Sequence, residues 1–558
     1  MNGERVDGAG VLDVLVVGAG PAGLLLALAL HRHGVRCRIV DKDDGPTDLT
    51  RAPVLWQRTQ EILAALGIRD SWLPETEEMR EEALHFYGAF AGTVPLSAPD
   101  SVYPKALYAG QDVTERLLEA HLTELGVPVE HGTEVLSYDE GEESATVTVR
   151  TNNGREEAVT ARWVVSAEGS RSVVRRDLGL DFAGEKYLGY RIHIADVHAR
   201  WTLATPVGQT FFYIDKGEYM GGQRLPGHPD RFYFYILTVD DRPDDDSNEL
   251  ALEEVQRLVR QISGDDAATL SEPRWLNSAR YRHGLAETYA RGRGFLVGDA
   301  ARVAPPLYGQ GMNYAMQDAW NLAWKLGHVV RGLAPEALLE TYDSERRPVG
   351  AALDARIDAT FRFITEPKPL QAAAVRAVAP LVLKSGLADA ALGRAFTEVA
   401  VSYAGTGLSG QQSSLGRLQA GDRVPPLWVK RLPEYDQANL IDLFDGDRWT
   451  LLVMAPAGSD PHRAQPLVDE ALTYGARFPQ ALRTVLLSTG PQRPGPLGLE
   501  TVVDAEGRFA RDHHLPATGV LLVRPDGYLG YAAQVGGTGL AAYFERWLHV
   551  GRSITHGD

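Results

Sequence analysis

Three closely spaced glycines carry the clearest chemical signature in this sequence. They lie in the run Gly18-Ala19-Gly20-Pro21-Ala22-Gly23. Gly18 permits a sharp turn, Gly20 lets the backbone approach a pyrophosphate, and Gly23 lets a following helix pack against the preceding strand. The free N–H groups and the positive end of that helix would face the phosphates. This spacing predicts a dinucleotide site that includes Gly18, Gly20, Pro21, Ala22 and Gly23.

The segments around this glycine loop have the order that such a site requires. An apolar run at 11–17 predicts a strand, and the apolar stretch at 24–30 predicts the helix. A second strand, at 36–40, is followed by Asp41 and Lys42. An acid about 20 residues beyond the glycine turn is the acceptor that a ribose diol needs. This combination favours a nucleotide-binding βαβ unit over a glycine turn that only packs.

A second candidate site lies near residue 300. Asp299 follows the apolar run 295–297, and a helix is predicted to begin in the segment Gly309-Gln310-Gly311-Met312-Asn313. A carboxylate at a strand end can accept a hydrogen bond from a sugar-chain hydroxyl. Glycines at a helix start let the backbone approach a flat polar ring, and the free N–H groups stabilise negative charge on it. A reduced flavin carries such charge at its N1–C2 carbonyl edge, although a glycine-rich helix start that serves only packing remains the alternative.

The composition limits the classes of protein to which the chain can belong. Its 558 residues indicate about two to four domains, and its 56 basic and 74 acidic residues give a net charge of −18. This charge argues against nucleic acid and against an anionic membrane surface as partners. The single cysteine, Cys37, excludes an intrachain disulfide and indicates a reducing compartment. Because the N-terminus lacks a signal-peptide pattern and no apolar run reaches the length of a membrane span, we expect a cytoplasmic protein.

Changes of pattern along the chain divide it into three parts. Residues 1–181 and 276–404 form a discontinuous α/β part, with helices predicted at 56–66, 112–125 and 312–330. Residues 182–275 are rich in strand signals and aromatic side chains, which indicates an inserted antiparallel sheet. Residues 405–558 begin with a stretch rich in Gly, Ser and Gln, typical of a linker. They then supply a separate core of apolar strands, at 449–454, 484–488 and 519–524.

Several motifs, taken in order, resemble those of one enzyme family. They are the glycine loop, Arg51 with the segment 57–63, Glu168-Gly169, Gly298-Asp299-Ala300-Ala301, Pro305-Pro306, the segment 309–313 and the segment 318–326. This pattern is similar to that of the single-component (class A) FAD monooxygenases typified by p-hydroxybenzoate hydroxylase. The resemblance covers about residues 10 to 350. It implies an α/β FAD-binding domain of the Rossmann-like, glutathione-reductase type with an inserted substrate-binding sheet.

The C-terminal part resembles the thioredoxin-like extension of phenol-hydroxylase and polyketide-hydroxylase relatives. This resemblance rests on the three apolar strands and on the segment Arg524-Pro525-Asp526-Gly527-Tyr528. The sequence contains no Cys-x-x-Cys motif, which excludes a redox role for this extension. Packing against the rest of the chain, or formation of a homodimer, is the role that remains.

The resemblance implies a set of cofactor-binding residues. Asp41, beside Lys42, is expected to accept from the adenosine ribose, and Val135 to lie against the adenine. Arg51 is expected to contact FAD or the incoming nicotinamide cofactor, and Asp299 to bind the ribityl chain. The flavin ring is expected to contact the following residues: Gln111, Pro306, Gly309, Gly311, Met312 and Asn313.

Three positions depart from the family pattern. Glu168 stands where the family usually has Asp, in a motif linked to contacts with both FAD and the nicotinamide cofactor. Arg302 replaces a common His, and Tyr308 replaces a common Gly close to the expected flavin edge. Tyr308 is therefore a further candidate to line the substrate pocket or to restrict flavin movement.

The resemblance also implies a reaction. NADPH or NADH reduces FAD, oxygen forms a flavin C4a-hydroperoxide, and one oxygen atom passes to an aromatic or polycyclic polyketide-type substrate. Because water would promote loss of hydrogen peroxide, the chemistry requires an apolar pocket. The aromatic-rich sheet is the expected wall, with these candidate lining residues: His193, Gln209, Phe211, Tyr213, Met220, Arg224 and Tyr235. No general base is assigned, and no histidine group has metal-ligand spacing.

Two other functions remain open from the sequence alone. The same fold can run a Baeyer–Villiger or ring-modifying oxygenation, which only the product would distinguish. A non-catalytic FAD-containing protein that sequesters an aromatic antibiotic would be yellow but would not consume NAD(P)H faster with its ligand. The chain length, the C-terminal extension and the preference for Arg over Lys are typical of bacterial enzymes that modify polycyclic compounds in antibiotic biosynthesis.

Overall fold

Three large β-sheets organise the chain, and smaller sheets connect them. The computed structural model describes residues 10–550, apart from residues 185, 203–204, 241–247, 304–306, 308, 367, 387–396, 411–413, 457–460, 490–498, 517 and 535–538. Within these described ranges, no helix has the length and apolar character of a membrane span.

The helices and strands, each numbered in chain order, have the following bounds. The helices are α1 (Pro21–Arg32), α2 (Gln57–Ala65), α3 (Gln111–Glu124), α4 (Val173–Asp177), α5 (Leu252–Ser263), α6 (Gly311–Val330), α7 (Ala337–Thr365), α8 (Pro369–Lys384), α9 (Pro461–Arg477), α10 (Arg508–Asp512) and α11 (Gly539–Trp547). The strands of the first two sheets and their small neighbours are β1 (Leu12–Val17), β2 (Cys37–Val40), β3 (Val54–Leu55), β4 (Glu77–Met79), β5 (Glu81–Phe86), β6 (Ala89–Pro95), β7 (Ala106–Tyr108), β8 (Val129–Glu130), β9 (Glu134–Glu140), β10 (Ala145–Arg150), β11 (Glu156–Ser166), β12 (Phe182–Ala183), β13 (Lys186–Arg200), β14 (Gln209–Asp215), β15 (Glu218–Arg224), β16 (Arg231–Val239), β17 (Thr269–Arg282), β18 (Gly284–Ala286), β19 (Ala290–Arg291), β20 (Gly294–Leu296) and β21 (Arg302–Val303). The C-terminal strands are β22 (Ser414–Leu415), β23 (Leu418–Gln419), β24 (Trp428–Arg431), β25 (Asp436–Asn439), β26 (Trp449–Pro456), β27 (Leu482–Thr489), β28 (Glu500–Asp504), β29 (Gly519–Val523) and β30 (Leu529–Ala533).

The first sheet, which we call the nucleotide sheet, has β1 near its centre. The strand order is β19-β20-β11-β1-β2-β8, and β10 and β9 extend it from β11 as an antiparallel hairpin pair. β1 pairs in parallel with β2 and β11, so that Val14 lies between Cys37 and Trp163. A parallel strand covered on both faces reads as a continuous apolar run, which is the pattern found at β1. The βαβ unit and the helices α2, α3 and α6 are confirmed where the sequence predicts them.

The second sheet, which we call the cavity sheet, has seven strands in the order β17-β13-β16-β15-β14-β5-β6. Two of these strands come from outside the segment 182–275, because the hairpin β5–β6 adds to the edge of β14. β17 also continues past residue 275 to Arg282. The β5–β6 hairpin, which comes much earlier in the chain, therefore supplies hydrogen-bond partners for the backbone groups along the edge of β14.

The two faces of the cavity sheet have different neighbours. One face packs on α5, where Phe211, Met220 and Phe234 share a buried cluster with Val255 and Leu258. The other face turns towards the nucleotide sheet, and α7 covers its far end. Because side chains alternate between faces along each strand, every strand of this sheet contributes to both environments.

The third sheet belongs to the C-terminal unit, residues 414–550. Its strand order is β25-β24-β28-β27-β26-β29-β30, and β26 pairs in parallel with β27 and antiparallel with β29. These three strands are the apolar segments that the sequence predicts as a separate core. Leu452, Val485 and Leu521 bury their side chains together on one face of the sheet.

A buried network of charged side chains joins the C-terminal unit to α6 and α7. Arg524 donates to the two carboxylate oxygens of Glu345 over 2.6 and 2.9 Å, and also to Asp526. Lys325 donates to Glu345 over 2.8 Å, and none of these three partner side chains is exposed. Burial alone would raise the pKa of Glu345, but Arg524 and Lys325 lower it to about 2. The carboxylate therefore remains charged in the interior with two cations to compensate it.

Replacing Glu345 with Gln should destabilise the protein by about 3–5 kcal/mol, because the substitution leaves the buried Arg524 without its main counter-charge. Urea unfolding followed by tryptophan fluorescence measures the change. Glu340→Gln, at an exposed position of the same helix, is the matched control and should change the free energy of unfolding by less than about 0.5 kcal/mol. Equal stability of the two variants would contradict the role assigned to the network.

Candidate functional site

A cavity of about 1010 Å³ lies between the nucleotide sheet and the face of the cavity sheet that α5 leaves uncovered. Its wall includes the glycine loop, the segment 40–56, the start of α3, the segments 131–135 and 167–173, the start of α6, all seven strands of the cavity sheet and the end of α7. This volume is at the upper end of the range of about 300–1,000 Å³ for small-molecule sites. The cavity is large enough for more than one small molecule.

The glycine loop forms one end of this cavity. Gly18, Gly20, Pro21 and Ala22 line it, and α1 begins directly after Gly20. Gly23 does not line the cavity: a Cβ at this position would lie 1.9 Å from the carbonyl oxygen of Gly18. Gly23 therefore serves the close packing of the helix on the loop, while the first N–H groups of α1 point towards the cavity end without partners inside the helix.

Charged side chains stand beside the glycine loop. Asp41 accepts hydrogen bonds from the N–H groups of Ala19, over 2.5 Å, and Asp43, over 2.8 Å, and each of its oxygens keeps a free lone pair. Lys42 and Arg51 also line the cavity. The guanidinium of Arg51 makes no hydrogen bond within the described part of the chain, so it is available to an anionic ligand.

The start of α3 contributes a polar pair. Gln111 lines the cavity and donates to Glu115 over 2.8 Å, and the other carboxylate oxygen of Glu115 accepts from the N–H of Thr47. Burial raises the pKa of Glu115, although these hydrogen bonds partly oppose the shift. Val135 lines the same region from β9. Glu115 is a cavity residue that the sequence reasoning missed.

Asp299 faces the cavity near the start of α6. Burial raises the pKa of its carboxyl, and the charge of Arg302 partly opposes this shift. Its carboxylate makes no hydrogen bond to any residue that the structure describes. Gly309, Gly311 and Met312 line the cavity beside it, and a Cβ at Gly311 would meet nothing within 4 Å. The backbone at the start of α6 is therefore open to a flat ligand.

Asn313 has a different position from the one predicted. It does not line the cavity, because its side chain accepts from the N–H of Trp56 over 2.9 Å and from the hydroxyl of Thr59 over 2.7 Å. Its amide nitrogen donates to the carbonyl of Val54 over 2.9 Å. Asn313 thus ties the start of α6 to the start of α2. Pro306 and Tyr308 lie outside the described residues.

The two described departures from the family pattern have structural roles. Glu168 accepts hydrogen bonds from the Ser172 hydroxyl and from the N–H groups of Val173 and Val174, so its carboxylate stabilises the first turn of α4. Arg302 is buried and donates to Asp354 over 2.8 Å, away from the cavity wall. Arg302 does not line the cavity, whereas Glu168 lines it with a carboxylate that is already bonded to the start of α4.

Taken together, the groups at this end of the cavity fit FAD. Asp41 suits a ribose diol, and the free guanidinium of Arg51 and the start of α1 suit a pyrophosphate. The unpartnered carboxylate of Asp299 suits a hydroxylated chain, and the start of α6 suits a flat ring. The unpartnered carboxylate of Asp299 is the most specific of these observations, since it is open to the cavity and can accept hydrogen bonds from a ligand.

The substrate wall requires a correction. Of the seven described candidates on the cavity sheet, Tyr235 lines the cavity and the other six do not: His193, Gln209, Phe211, Tyr213, Met220 and Arg224. Phe211, Tyr213 and Met220 pack in the cluster against α5. His193 bonds to the Thr238 hydroxyl over 3.0 Å, and Gln209 donates to Glu81 over 2.7 Å.

The strand register explains why these six residues share the wrong face. Tyr213 is paired with Met220, Met220 with Ile236, and Ile236 with His193, so one transverse row carries three of the six. Gln209 and Phe211 lie on the same face of β14 as Tyr213, and Arg224 lies on the same face of β15 as Met220, because each is an even number of residues away. Tyr235 is one residue out of phase with that row. Since neighbouring residues of a strand point to opposite faces, the one-residue offset places Tyr235 alone in the cavity.

The cavity face of the sheet contains residues that the sequence reasoning did not select. They are Glu82, Leu84, Phe86, Val94, Ile194, Thr210, Phe212, Ile214, Gln223, Tyr233 and Trp275. The residues at 81–86, Glu-Glu-Ala-Leu-His-Phe, do not alternate between polar and apolar, so no strand prediction covered β5. Phe212 and Ile214 differ from the predicted Phe211 and Tyr213 by one step along β14.

Comparison with known proteins identifies the family. A family model described as FAD binding domain matches residues 11–356, and one described as aromatic-ring hydroxylase, C-terminal, matches residues 418–550. Together they cover both the cofactor end of the cavity and the C-terminal unit.

Individual relatives are similar over nearly the whole chain. The identity to 6-methylpretetramide 4-monooxygenase from Streptomyces rimosus is 30% over 550 residues, or 94% of this chain and 91% of the relative. The identity to pentachlorophenol 4-monooxygenase from Sphingobium chlorophenolicum is 29% over 533 residues, or 94% of each chain. The solved structure of OxyS anhydrotetracycline hydroxylase from Streptomyces rimosus is similar with a TM-score of 0.75 at 28% identity, and covers 97% of this chain and 100% of that one. The chain therefore belongs to the family of FAD-dependent aromatic-ring hydroxylases, the class A flavin monooxygenases.

Proposed function

We propose that this FAD-dependent monooxygenase hydroxylates a polycyclic aromatic substrate of the polyketide type, with NADPH or NADH as reductant and molecular oxygen as co-substrate. The observation that carries the proposal is the continuity of one cavity. The groups that fit FAD and the inward face of the cavity sheet line the same space. A substrate on this sheet would lie directly opposite the start of α6.

The apolar part of the wall suits oxygen transfer. When bound, FAD supplies the redox chemistry, taking electrons from NAD(P)H and activating oxygen. The side chains of Leu84, Phe86, Ile214 and Phe363 exclude water from the side of the cavity nearest α7. Arg51, with its free guanidinium, would bind a phosphate of FAD or of the nicotinamide cofactor.

The size of the cavity supports a polycyclic rather than a small phenolic substrate. Its volume of about 1010 Å³ leaves room for several fused rings beside a dinucleotide cofactor. One relative, by its name, acts on 6-methylpretetramide, and the solved hydroxylase acts on anhydrotetracycline. Pentachlorophenol 4-monooxygenase, by contrast, is named for a single-ring substrate. Cavity size is the feature of this chain that favours the first group.

Stopped-flow reduction of the holoenzyme tests the proposed reaction. We expect NADPH or NADH to reduce the bound flavin much faster in the presence of a tetracyclic hydroxyquinone than in its absence, with a smaller effect for simple phenols. Mass spectrometry of the product should show one added oxygen atom. The proposal fails if no compound of either class accelerates reduction, or if the product lacks added oxygen.

Asp299→Ala should weaken FAD binding roughly 10- to 100-fold, because a hydrogen bond to a buried carboxylate is lost. Titration of the apoprotein with FAD, followed by flavin fluorescence, gives the dissociation constant. Asp70→Ala, at an exposed position far from the cavity wall, is the control and should bind FAD like the unmodified protein. An unchanged affinity in Asp299→Ala would show that this carboxylate does not contact FAD.

The adjacent residues Phe211 and Phe212 point to opposite faces of the cavity sheet, Phe211 into the cluster against α5 and Phe212 into the cavity. Phe212→Ala should weaken binding of aromatic substrates by about tenfold and increase the hydrogen peroxide released per NAD(P)H, because it removes apolar wall and admits water. Phe211→Ala should instead lower stability by about 3–5 kcal/mol and leave substrate affinity unchanged. Steady-state kinetics, peroxide assays and urea unfolding of both variants distinguish the two effects. The register would be contradicted if Phe212→Ala lowered stability and Phe211→Ala weakened substrate binding.

A further inference from the structure

The cavity face of the sheet carries one row of polar side chains, which runs across the strands at paired positions. The register pairs Glu82 with Thr210, Thr210 with Gln223, and Gln223 with Tyr233, across four adjacent strands. We call Glu82, Thr210 and Gln223 the polar row. All three line the cavity.

The neighbouring levels of the same face are apolar. One step along the strands, Leu84 pairs with Phe212 and Phe212 with Gly221. A Cβ at Gly221 would lie 2.1 Å from the Tyr235 ring, so the ring lies flat over the glycine. A further step brings Phe86 beside Ile214. The wall thus changes from polar to apolar along the strand direction, towards α7.

The same row continues onto β16 and β13, where the polar side chains already form hydrogen bonds within the protein. Tyr233 donates its hydroxyl to the carbonyl of Arg51. Asp196, which pairs with Tyr233, accepts from Thr50 over 3.0 Å and from Arg231 over 2.7 Å. These groups fix the segment 50–51 against the sheet and are not available to a ligand.

The polar row, in contrast, retains free hydrogen-bonding capacity. The amide nitrogen of Gln223 is buried, with the residue only 3% exposed, and it has no hydrogen-bond partner among the described residues. Glu82 is half-buried and lines the cavity. A donor and an acceptor therefore face the same interior space.

The surroundings of Glu82 favour a proton equilibrium near neutrality. Burial raises its pKa to about 7, and the Thr210 hydroxyl partly opposes the shift. The titratable group that interacts with it from a neighbouring element is the hydroxyl of Tyr108 on β7, which also interacts with Tyr235 on β16. Burial raises the pKa of Tyr108 well above its usual range, so it stays protonated while Glu82 titrates.

We propose that the polar row binds the oxygenated edge of a polycyclic substrate, with Glu82 accepting from a phenolic or enolic hydroxyl and Gln223 donating to a ring carbonyl. This inference rests on the proposed function. Glu82 and Gln223 stand two strands apart, on the order of 10 Å between their backbones. Fused rings with hydroxyl and keto oxygens along one edge present a donor and an acceptor on that scale. The apolar rings would then lie over Leu84 and Phe212.

This arrangement would also favour the reaction. A hydrogen bond from a phenol to the ionised Glu82 increases electron density in the ring that receives oxygen. It would also fix which ring edge faces the start of α6. Glu82 is thus assigned as a substrate-binding residue that sets orientation.

Direct binding to the holoenzyme, without reductant, tests the assignment. The probes are 1,4-dihydroxyanthraquinone and unsubstituted anthraquinone, and the readout is the dissociation constant from absorbance titration between about pH 6 and about pH 8. For the unmodified protein we expect the dihydroxy compound to bind more tightly as pH rises through the pKa of Glu82, because the ionised carboxylate is the better acceptor. The unsubstituted compound should show no such dependence.

Glu82→Gln should weaken binding of the dihydroxy compound roughly tenfold or more at the upper pH and abolish the pH dependence. Its matched control is Glu81→Gln, since Glu81 is the adjacent residue of β5 on the opposite face and contacts Gln209. This control should retain the affinity and pH dependence of the unmodified protein. Gln223→Leu provides a second variant, which should bind the dihydroxy compound more weakly while keeping its pH dependence.

Two results would overturn the assignment. If Glu82→Gln and Gln223→Leu both bind the dihydroxy compound as the unmodified protein does, the polar row does not contact it. If Glu82→Gln does not fold, unchanged binding by Gln223→Leu is sufficient to reject the assigned pairing. Failure of the proposed function has a different signature: the unmodified holoenzyme binds neither quinone, and neither quinone accelerates NAD(P)H oxidation.

Discussion

The alternation of side chains along the strands of the cavity sheet is the constraint on which the site depends. One face must bury aromatic side chains against α5, and the other must remain open to ligands. A slip of one residue in β14 would exchange Phe211 and Phe212, sending a core side chain into the cavity. A side chain larger than glycine would clash on either face. Gly221 leaves room for the Tyr235 ring on the cavity face, and Gly222 leaves room for the Phe211 ring on the other face. The register therefore determines both the packing of the core against α5 and the shape of the cavity.

Three acidic side chains show two different electrostatic situations. Glu345 has its charge compensated by Arg524 and Lys325, and its pKa is lowered accordingly. Asp299 and Glu82 face the cavity, and burial raises the pKa of each. A buried carboxyl without compensation costs stability unless a ligand supplies its partner. Both acids line the cavity, Asp299 near the start of α6 and Glu82 on the cavity sheet, where a bound ligand would supply the missing partner.

The C-terminal unit acts on the site at a distance. None of its described residues lines the cavity. It contacts two helices near the cavity, because Arg58 of α2 donates to the carbonyl of Asp526 over 2.6 Å and Arg524 donates to Glu345 of α7. The end of α7 lines the cavity. Asn313 links α6 to the start of α2. The unit therefore supports the start of α6, where the flavin ring is expected, through packed helices and buried charges.

The sequence by itself determined the family, the cofactor and most of the FAD-binding end, because a strand, a glycine loop, a helix and an acid form a local signal that adjacent residues can carry. Gly18, Asp41, Arg51 and Asp299 all line the cavity that this signal predicts. Only the tertiary structure decided which face of each inserted strand lines the cavity. That choice depends on pairing between β5 and β14, which are remote in the chain, and period-two alternation is equally satisfied by either face. For the same reason Glu82 and Gln223 become neighbours on one wall only when the sheet is assembled.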